Sequence, residues 1–261
     1  MTVNAIRVWA VASNVFRETI RDRILYLIVF FAVLLLLGAR LLPDLSAGAE
    51  FKLILDLGLA VISLFGLVIA VFLGTSLLNK EIEKRTIFIL IAKPLGRGEF
   101  ILGKHLGLSA VLALLVGLMS VCFFAVILLQ RVPVGELAGG LLVSLVFAYL
   151  ELLLIVAAAL FFGSFASSVM ASIFTLSLYL MGHFTQDLLR LGQISKNASV
   201  EQITRAIYLV LPDLERLNLR NGVVFGQLPT PLELMSAGLY GLLYTGILLG
   251  LAVAVFARRE F

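Results

Sequence analysis

The chain is poor in charge, in cysteine and in histidine. Charged residues make up 14% of its 261 residues, against about 25% in a typical soluble domain, while hydrophobic residues make up 61%. That leaves too little polar sequence for the surface of a soluble fold of this size. The single cysteine excludes an intramolecular disulfide and makes a poor metal site, so we interpret Cys122 as a packing residue. The composition predicts an integral membrane protein without a metal site.

The motifs of common hydrolases and metalloenzymes are also missing from the sequence. It contains no H-E-x-x-H, no G-x-S-x-G and no Cys/His cluster, and we expect its two histidines, His105 and His183, at span ends on opposite sides of the membrane. Residues 98–105 read G-x-x-x-x-G-K-H, but a phosphate loop needs Ser or Thr at the last position to hold magnesium. Bulky residues fill this segment and a membrane span follows it. We therefore predict that the match of residues 98–105 to the phosphate-loop pattern is accidental. We also predict that the chain is not an enzyme and binds no nucleotide, metal or other cofactor.

What the sequence does contain is a set of long apolar runs, each close to the roughly 20 residues that a helix needs to cross a bilayer. The runs predict an all-α integral membrane protein with six transmembrane helices in one domain, 1–261. The fifth run is the weakest, because polar residues crowd its end. The six runs cover residues 24–42, 57–78, 106–129, 137–162, 169–184 and 234–256.

Residues 1–23, before the first run, favour an amphipathic helix. At 100° per residue, Val8, Ala12 and Val15 share one side, while Arg7 and Arg17 lie on the other. Such a helix suits the membrane interface and contact with lipids. A polar cytosolic tail is the alternative.

The basic residues between the spans predict the orientation. Twelve of the 20 Lys and Arg lie in the two termini, in residues 79–105 and in residues 163–168, and the other eight are spread over the longer opposite side. The positive-inside rule therefore puts both termini and the 79–105 loop in the cytoplasm, and the 185–233 loop outside, in a cell (inner) membrane. Because this charge serves topology, it indicates no nucleic-acid partner. Within the outer loop, residues 200–211 predict a short interfacial or re-entrant helix.

The 79–105 loop carries a recognisable pattern. It begins with charged residues, continues with an apolar run too short to span, and reaches Pro94, which stops a helix. It resembles the cytoplasmic loop of type-2 ABC (ATP-binding cassette) transporter permeases, E-x-E-x-G-T-x-x-x-L-L-x-x-P-x-S-R-x-x-x-x-x-G-K, with Arg85 in place of the usual Gly and Gly96 in place of Ser. The matching positions are Glu81, Glu83, Thr86, Leu90, Pro94, Arg97, Gly103 and Lys104.

This resemblance implies a permease that forms the translocation pathway as a dimer, most simply a homodimer, and docks separate cytosolic ATPase subunits. ATP and magnesium would then be bound by those partners, and export is the usual direction. The segment "LPDLERLNL" (211–219) makes the chain look most like permeases associated with copper-enzyme maturation. The residues that the resemblance assigns to ATPase coupling are Glu81, Glu83, Arg85, Thr86, Pro94, Arg97 and Lys104.

Each of these residues also has a simpler structural explanation. The charges around Glu81 would otherwise form an ordinary solvated helix face, Arg97 and Lys104 would anchor the loop to lipid headgroups, and Pro94 and Gly103 would shape the loop rather than touch a partner. The face formed by His183, Asp187 and Arg190 is either a hydrogen-bonded cap or part of an exit.

Glu151 is the sharpest single residue, because it falls near the middle of the fourth predicted span. An ionised acid there costs about 2.5–3.5 kcal/mol on insertion scales. It lies on the translocation path or dimer interface, or it makes a structural hydrogen bond between helices. If Glu151 lies on the translocation path, a second function fits the sequence: a secondary transporter driven by an ion gradient, with Glu151 as ion or proton site. A third is a membrane scaffold that carries nothing.

Overall fold

The computed structural model describes residues 4–21, 25–41, 50–83, 96–132, 135, 137–195 and 197–258. Over these ranges the chain forms nine α-helices and one 3₁₀ helix and no strand, which confirms the all-α prediction. The helices are α1 (Ala5–Arg21), α2 (Leu25–Leu41), α3 (Glu50–Glu83), α4 (Arg97–Leu129), α5 (Leu137–Gly163), α6 (Ser168–Ile194), α7 (Ala198–Val210), α8 (Arg220–Val224) and α9 (Pro231–Arg258), with the 3₁₀ helix at Leu214–Arg216.

The predicted spans correspond to six of these helices. By length and composition, α3, α4, α5, α6 and α9 are each able to cross a membrane, and α2 is a shorter apolar helix of 17 residues. A span of 17 residues lies at the lower limit for a bilayer core. The chain is a multi-pass membrane protein.

Several helices extend beyond their predicted bounds, among them α3, α4, α6 and α9. The fifth span does not end at residue 184, because α6 continues to Ile194. The polar residues that suggested an end are satisfied inside the protein, where His183 meets Glu151 and the Gln186 amide donates to Asp213 Oδ2 at 3.0 Å. Likewise α4 begins at Arg97, so the last nine residues of the predicted 79–105 loop are helical. The predicted 185–233 loop correspondingly starts ten residues inside α6.

α5 lies at the centre of the bundle and contacts α3, α4, α6, α8 and α9. Its residues 154–160 are completely buried. Small residues allow close packing here: a Cβ added at Gly74 of α3 would lie 2.6 Å from the Cβ of Ala159. Tight packing through small residues is a main source of helix association in lipid, where the hydrophobic effect between helices is absent.

The two ends of the bundle are named here by the elements that form them. The junction end contains α1, the start of α4 and the end of α9. The connector end contains residues 211–230 and the start of α3, joined by an ion pair of 2.9 Å between Arg220 and Asp56.

The predicted helix at 200–211 is confirmed as α7. Thr204 is buried against Gly192 of α6, whereas Val200 is 38% and Ile203 60% exposed. The small glycine lets the two helices approach closely at a polar position. Val200 and Ile203 therefore face away from the protein.

α9 begins three residues before the predicted start of the last span at residue 234. Pro231 is its first residue, a position that needs no backbone N–H. Thr230 and Glu233 form a capping box, since the Thr230 N–H donates to the Glu233 carboxylate at 2.8 Å and the Glu233 N–H donates to Thr230 Oγ1 at 3.4 Å.

Candidate functional site

The predicted coupling residues divide into three groups in the structure. Arg85, Thr86 and Pro94 lie outside the described residues. Glu81 and Glu83 are on the last turn of α3, and only their backbone is described. Arg97 and Lys104 are on the first turns of α4, and they are the two predicted coupling residues whose side-chain contacts are described.

Arg97 connects the start of α4 to the end of α9. Its Nη1 donates to the carbonyl of Phe256 at 3.0 Å and to the carbonyl of Ala257. These carbonyls belong to the last turn of α9, where helix carbonyls lack intrahelical partners and the dipole favours a cation. Arg97 therefore caps α9.

Lys104 is 1% exposed, with its Nζ 5.4 Å from the ring centroid of Phe100. The Phe100 ring in turn stacks on Phe256 of α9, with 5.7 Å between centroids. A buried ammonium of this kind does not present its charge on an outer surface of the chain. Here Lys104 belongs to the packing between α4 and α9.

Glu99 holds the first turns of two helices together. Its Oε2 accepts the Gly96 N–H at 2.9 Å, which caps α4, and its Oε1 accepts the Asn4 N–H at 2.8 Å, which anchors the start of α1. The Arg7 guanidinium adds an ion pair at 3.7 Å. A carboxylate is favoured at a helix N-terminus, and the sequence suggested this for α4 but not for α1.

The amphipathic N-terminal helix is confirmed, but its apolar face packs on protein. Val8, Ala12 and Val15 are buried, while Trp9 is 73% exposed. The opposing surface of α4 is made of glycine: a Cβ at Gly107 would lie 2.7 Å from the carbonyl oxygen of Ala12. Gly103, which the sequence favoured as a loop-shaping residue, has the same role against Val11, at 2.6 Å.

We call the contacts of Arg97 and Glu99 with α1 and α9 the coupling junction. Through it, the start of α4 is bonded to the start of α1 and to the end of α9. Any displacement of the start of α4 therefore reaches two further helices at once.

The near match to a phosphate loop lies within this helix. Residues 98–105 are all helical, so most of their backbone N–H groups bond within the helix. A phosphate loop requires the opposite, a turn whose N–H groups converge on the phosphate. The geometry agrees with an accidental match.

Glu151 is buried in the middle of α5 and meets His183 of α6, with 3.4 Å between Oε1 and Nε2. Of the roles expected for Glu151, the structure shows the contact between helices. His105, expected at a span end, bonds through Nε2 to the carbonyl of Leu153 at 3.1 Å. Both histidines therefore contact the middle of α5, which corrects their predicted placement at opposite span ends. In the described part of the chain, no three His, Cys, Asp or Glu residues gather as a metal site.

A second polar cluster, which sequence reasoning missed, orders the connector end. Asp213 is 2% exposed, and its Oδ2 accepts bonds from Gln186 at 3.0 Å and from Arg216 Nε at 2.9 Å. Its backbone N–H donates to the hydroxyl of Tyr240 at 2.8 Å. The hydrogen bond to Asp213 raises the pKa of the Arg216 guanidinium, which lies 5.1 Å from the centroid of the Tyr240 ring. The only sequence signal was the Asp after Pro212, typical of a turn.

These features coincide with a family match. Residues 9–261 match the family model described as ABC-2 family transporter protein. No curated protein matches the chain.

Proposed function

Since the chain belongs to the ABC-2 transporter family, it is the membrane component of an ABC transporter, and we propose that it works as an exporter driven by separate ATP-binding subunits. Those subunits would dock in the cytoplasm on residues 79–105, with the coupling charges at Glu81, Glu83 and Arg85. ATP and magnesium would be bound there and not by this chain.

The observation that supports this mechanism is the coupling junction. Segment 84–95 enters α4 directly at Gly96 and Arg97, whose helix is bonded to α1 through Glu99 and to α9 through Arg97. When two ATP-binding subunits close on ATP, a push on that segment would displace α4 and, with it, α1 and α9. Arg97 and Lys104 then act by transmitting the displacement within the chain, whereas Glu81 and Glu83 receive it.

We propose further that two identical copies form the translocation pathway, as the resemblance to type-2 permeases implies. Native mass spectrometry of the purified complex tests this stoichiometry. Two copies of this chain with two ATP-binding subunits are expected, and one copy beside a different permease would contradict the homodimer.

The docking role is tested by reversing charges. With the ATP-binding subunits that co-purify with the wild-type chain, Glu81→Lys with Glu83→Lys is expected to lower complex recovery or to leave ATP hydrolysis that no longer drives transport. The matched control is Glu201→Lys, an exposed acid on α7 at the other side of the sequence-predicted topology. Wild-type complex formation and coupling in the double variant would refute docking at these charges.

The contact between the buried Glu151 and the half-buried His183 is the observation that favours a second candidate, a gradient-driven carrier. Proteoliposomes that contain this chain alone, with a pH-sensitive dye inside, separate the two. An imposed gradient should cause no proton flux for an ATP-driven exporter. Flux that disappears in Glu151→Gln would establish the carrier instead.

A further inference from the structure

The protonation of His183 is determined by its neighbours. Its Nδ1 lies 3.1 Å from the backbone carbonyl of Tyr179, and a carbonyl oxygen can only accept a hydrogen bond. Nδ1 therefore carries a hydrogen, and the hydrogen-bonding state of His183 depends on Nε2 alone. Nε2 is the atom that faces Glu151.

One proton fits between Glu151 and His183. With the proton on Oε1, Nε2 accepts; with it on Nε2, the carboxylate accepts. When the pair holds no proton, a lone pair on Oε1 faces a lone pair on Nε2 across 3.4 Å. When it holds two protons, two hydrogens face each other unless the carboxyl group turns. An attractive contact between α5 and α6 at this point therefore requires one proton in the pair.

The pair is close to a polar route from the connector end. Glu151 lines a narrow cavity with room for about one water molecule, together with Ser63, Ser144, Asn218 and Arg220. Asn218 and Leu219 also line a larger open groove between the connector and the start of α9. A thin layer of connector residues therefore separates Glu151 from that open groove.

Charged groups surround this route from several helices. Glu215 and Arg220 both act electrostatically on Glu151, and Arg220 is paired with Asp56 of α3. The remaining titratable groups on neighbouring helices are Tyr179 of α6, His105 of α4, which bonds to Leu153, and Tyr240 and Tyr244 of α9, which bond to Asp213 and Val210.

We propose that Glu151 and His183 form a binding site for one exchangeable proton, reached from the connector end beside Asn218, and that this proton links α5 to α6. The site goes beyond the ATP-driven function and does not depend on it. Loss of the shared proton would remove this link between α5 and α6, while α6 would still hold the connector through Gln186 and Asp213.

The chain has only two histidines, which makes the test specific. The full chain, labelled with ¹⁵N-histidine and placed in lipid nanodiscs, is titrated by solid-state NMR, and His105→Gln assigns the His183 signals. Nδ1 of His183 should stay protonated across the titration while the Nε2 signal shifts with pH. Glu151→Gln should abolish or displace that shift.

Two outcomes would overturn the proton site. The first is an Nε2 signal that does not change with pH in the wild-type chain, a result that needs no variant to fold. The second is a titration that is unchanged in Glu151→Gln. Neither outcome bears on complex formation with ATP-binding subunits, so the proposed function stands or falls separately.

Access from the connector end is tested by hydrogen–deuterium exchange at Nε2 of His183. Asn218→Leu should slow this exchange, whereas Asn221→Leu, an exposed position on α8, should not. Equal exchange in the two variants would refute entry beside Asn218.

Discussion

The backbone N–H of Asn4 donates to Glu99 Oε1 at 2.8 Å, across 95 residues of sequence. Because the second oxygen of the same carboxylate caps α4, one side chain fixes the angle and position at which α1 meets the bundle. The N-terminal helix is therefore an integral part of the junction end.

Glu99→Ala should release the start of α1. The carboxylate loses two backbone hydrogen bonds and the Arg7 ion pair, so a lower thermal stability is expected. Trp9 is the only tryptophan and lies on α1, so its fluorescence anisotropy reports the helix directly. Glu18→Ala, at an exposed position of α1, is the control, and equal anisotropy in the two variants would contradict the role of Glu99.

Gly107→Ala should separate α1 from α4. The new Cβ would meet the Ala12 carbonyl oxygen at 2.7 Å, and backbone cannot rotate away as a side chain can. Overpacking of this kind costs about 1–3 kcal/mol. Gly117→Ala, on the same helix with no atom within 4 Å, should be neutral or stabilising by up to about 1 kcal/mol. Thermal unfolding in detergent compares them, and equal stability would refute the close approach.

Arg97→Ala should fray the end of α9. The carbonyls of Phe256 and Ala257 lose their cationic cap, so amide hydrogen exchange over the last turn of α9 is expected to accelerate. Arg190→Ala removes an exposed ion pair of 3.8 Å with Asp187 and should leave that turn unchanged. Protection that persists in Arg97→Ala would mean that the cap does not stabilise α9.

Asp213→Ala should disorder the connector. The substitution removes the acceptor of the Gln186 amide and of the partly exposed Arg216 guanidinium, so a total loss of about 1–3 kcal/mol is expected. Thermal unfolding and proteolysis between α7 and α9 measure the effect. Asp187→Ala, an exposed acid on α6, should change neither, and a similar result for both would contradict the anchoring role of Asp213.

The sequence predicted best what depends on local pattern. Apolar runs located the five helices that are long enough to cross a membrane and the shorter apolar helix α2. The sequence-based prediction failed where polar residues have partners far away in the chain. His183 and Gln186 suggested a helix end that does not exist, because the neighbouring sequence does not reveal their partners Glu151 and Asp213. The same limit applies to the site. Arg97 was found by its motif, but the motif does not reveal its contact with Phe256, which is 159 residues away in sequence. A carboxylate at Glu99 suits the start of its own helix, α4, but its bond to the start of α1 could not be predicted. The assignment to the group associated with copper-enzyme maturation stays a prediction.

α4 contains 33 residues without interruption, about 50 Å of helix, while a bilayer core is about 30 Å thick. Its first turn meets α1 and α9, and just beyond its last turn the Gln130 amide donates to the Ala39 carbonyl at the end of α2. If α4 tilts as a rigid rod about a point near its middle, a displacement of Arg97 would move Gln130 in the opposite direction, so the helix would reverse the sense of a motion between its two ends.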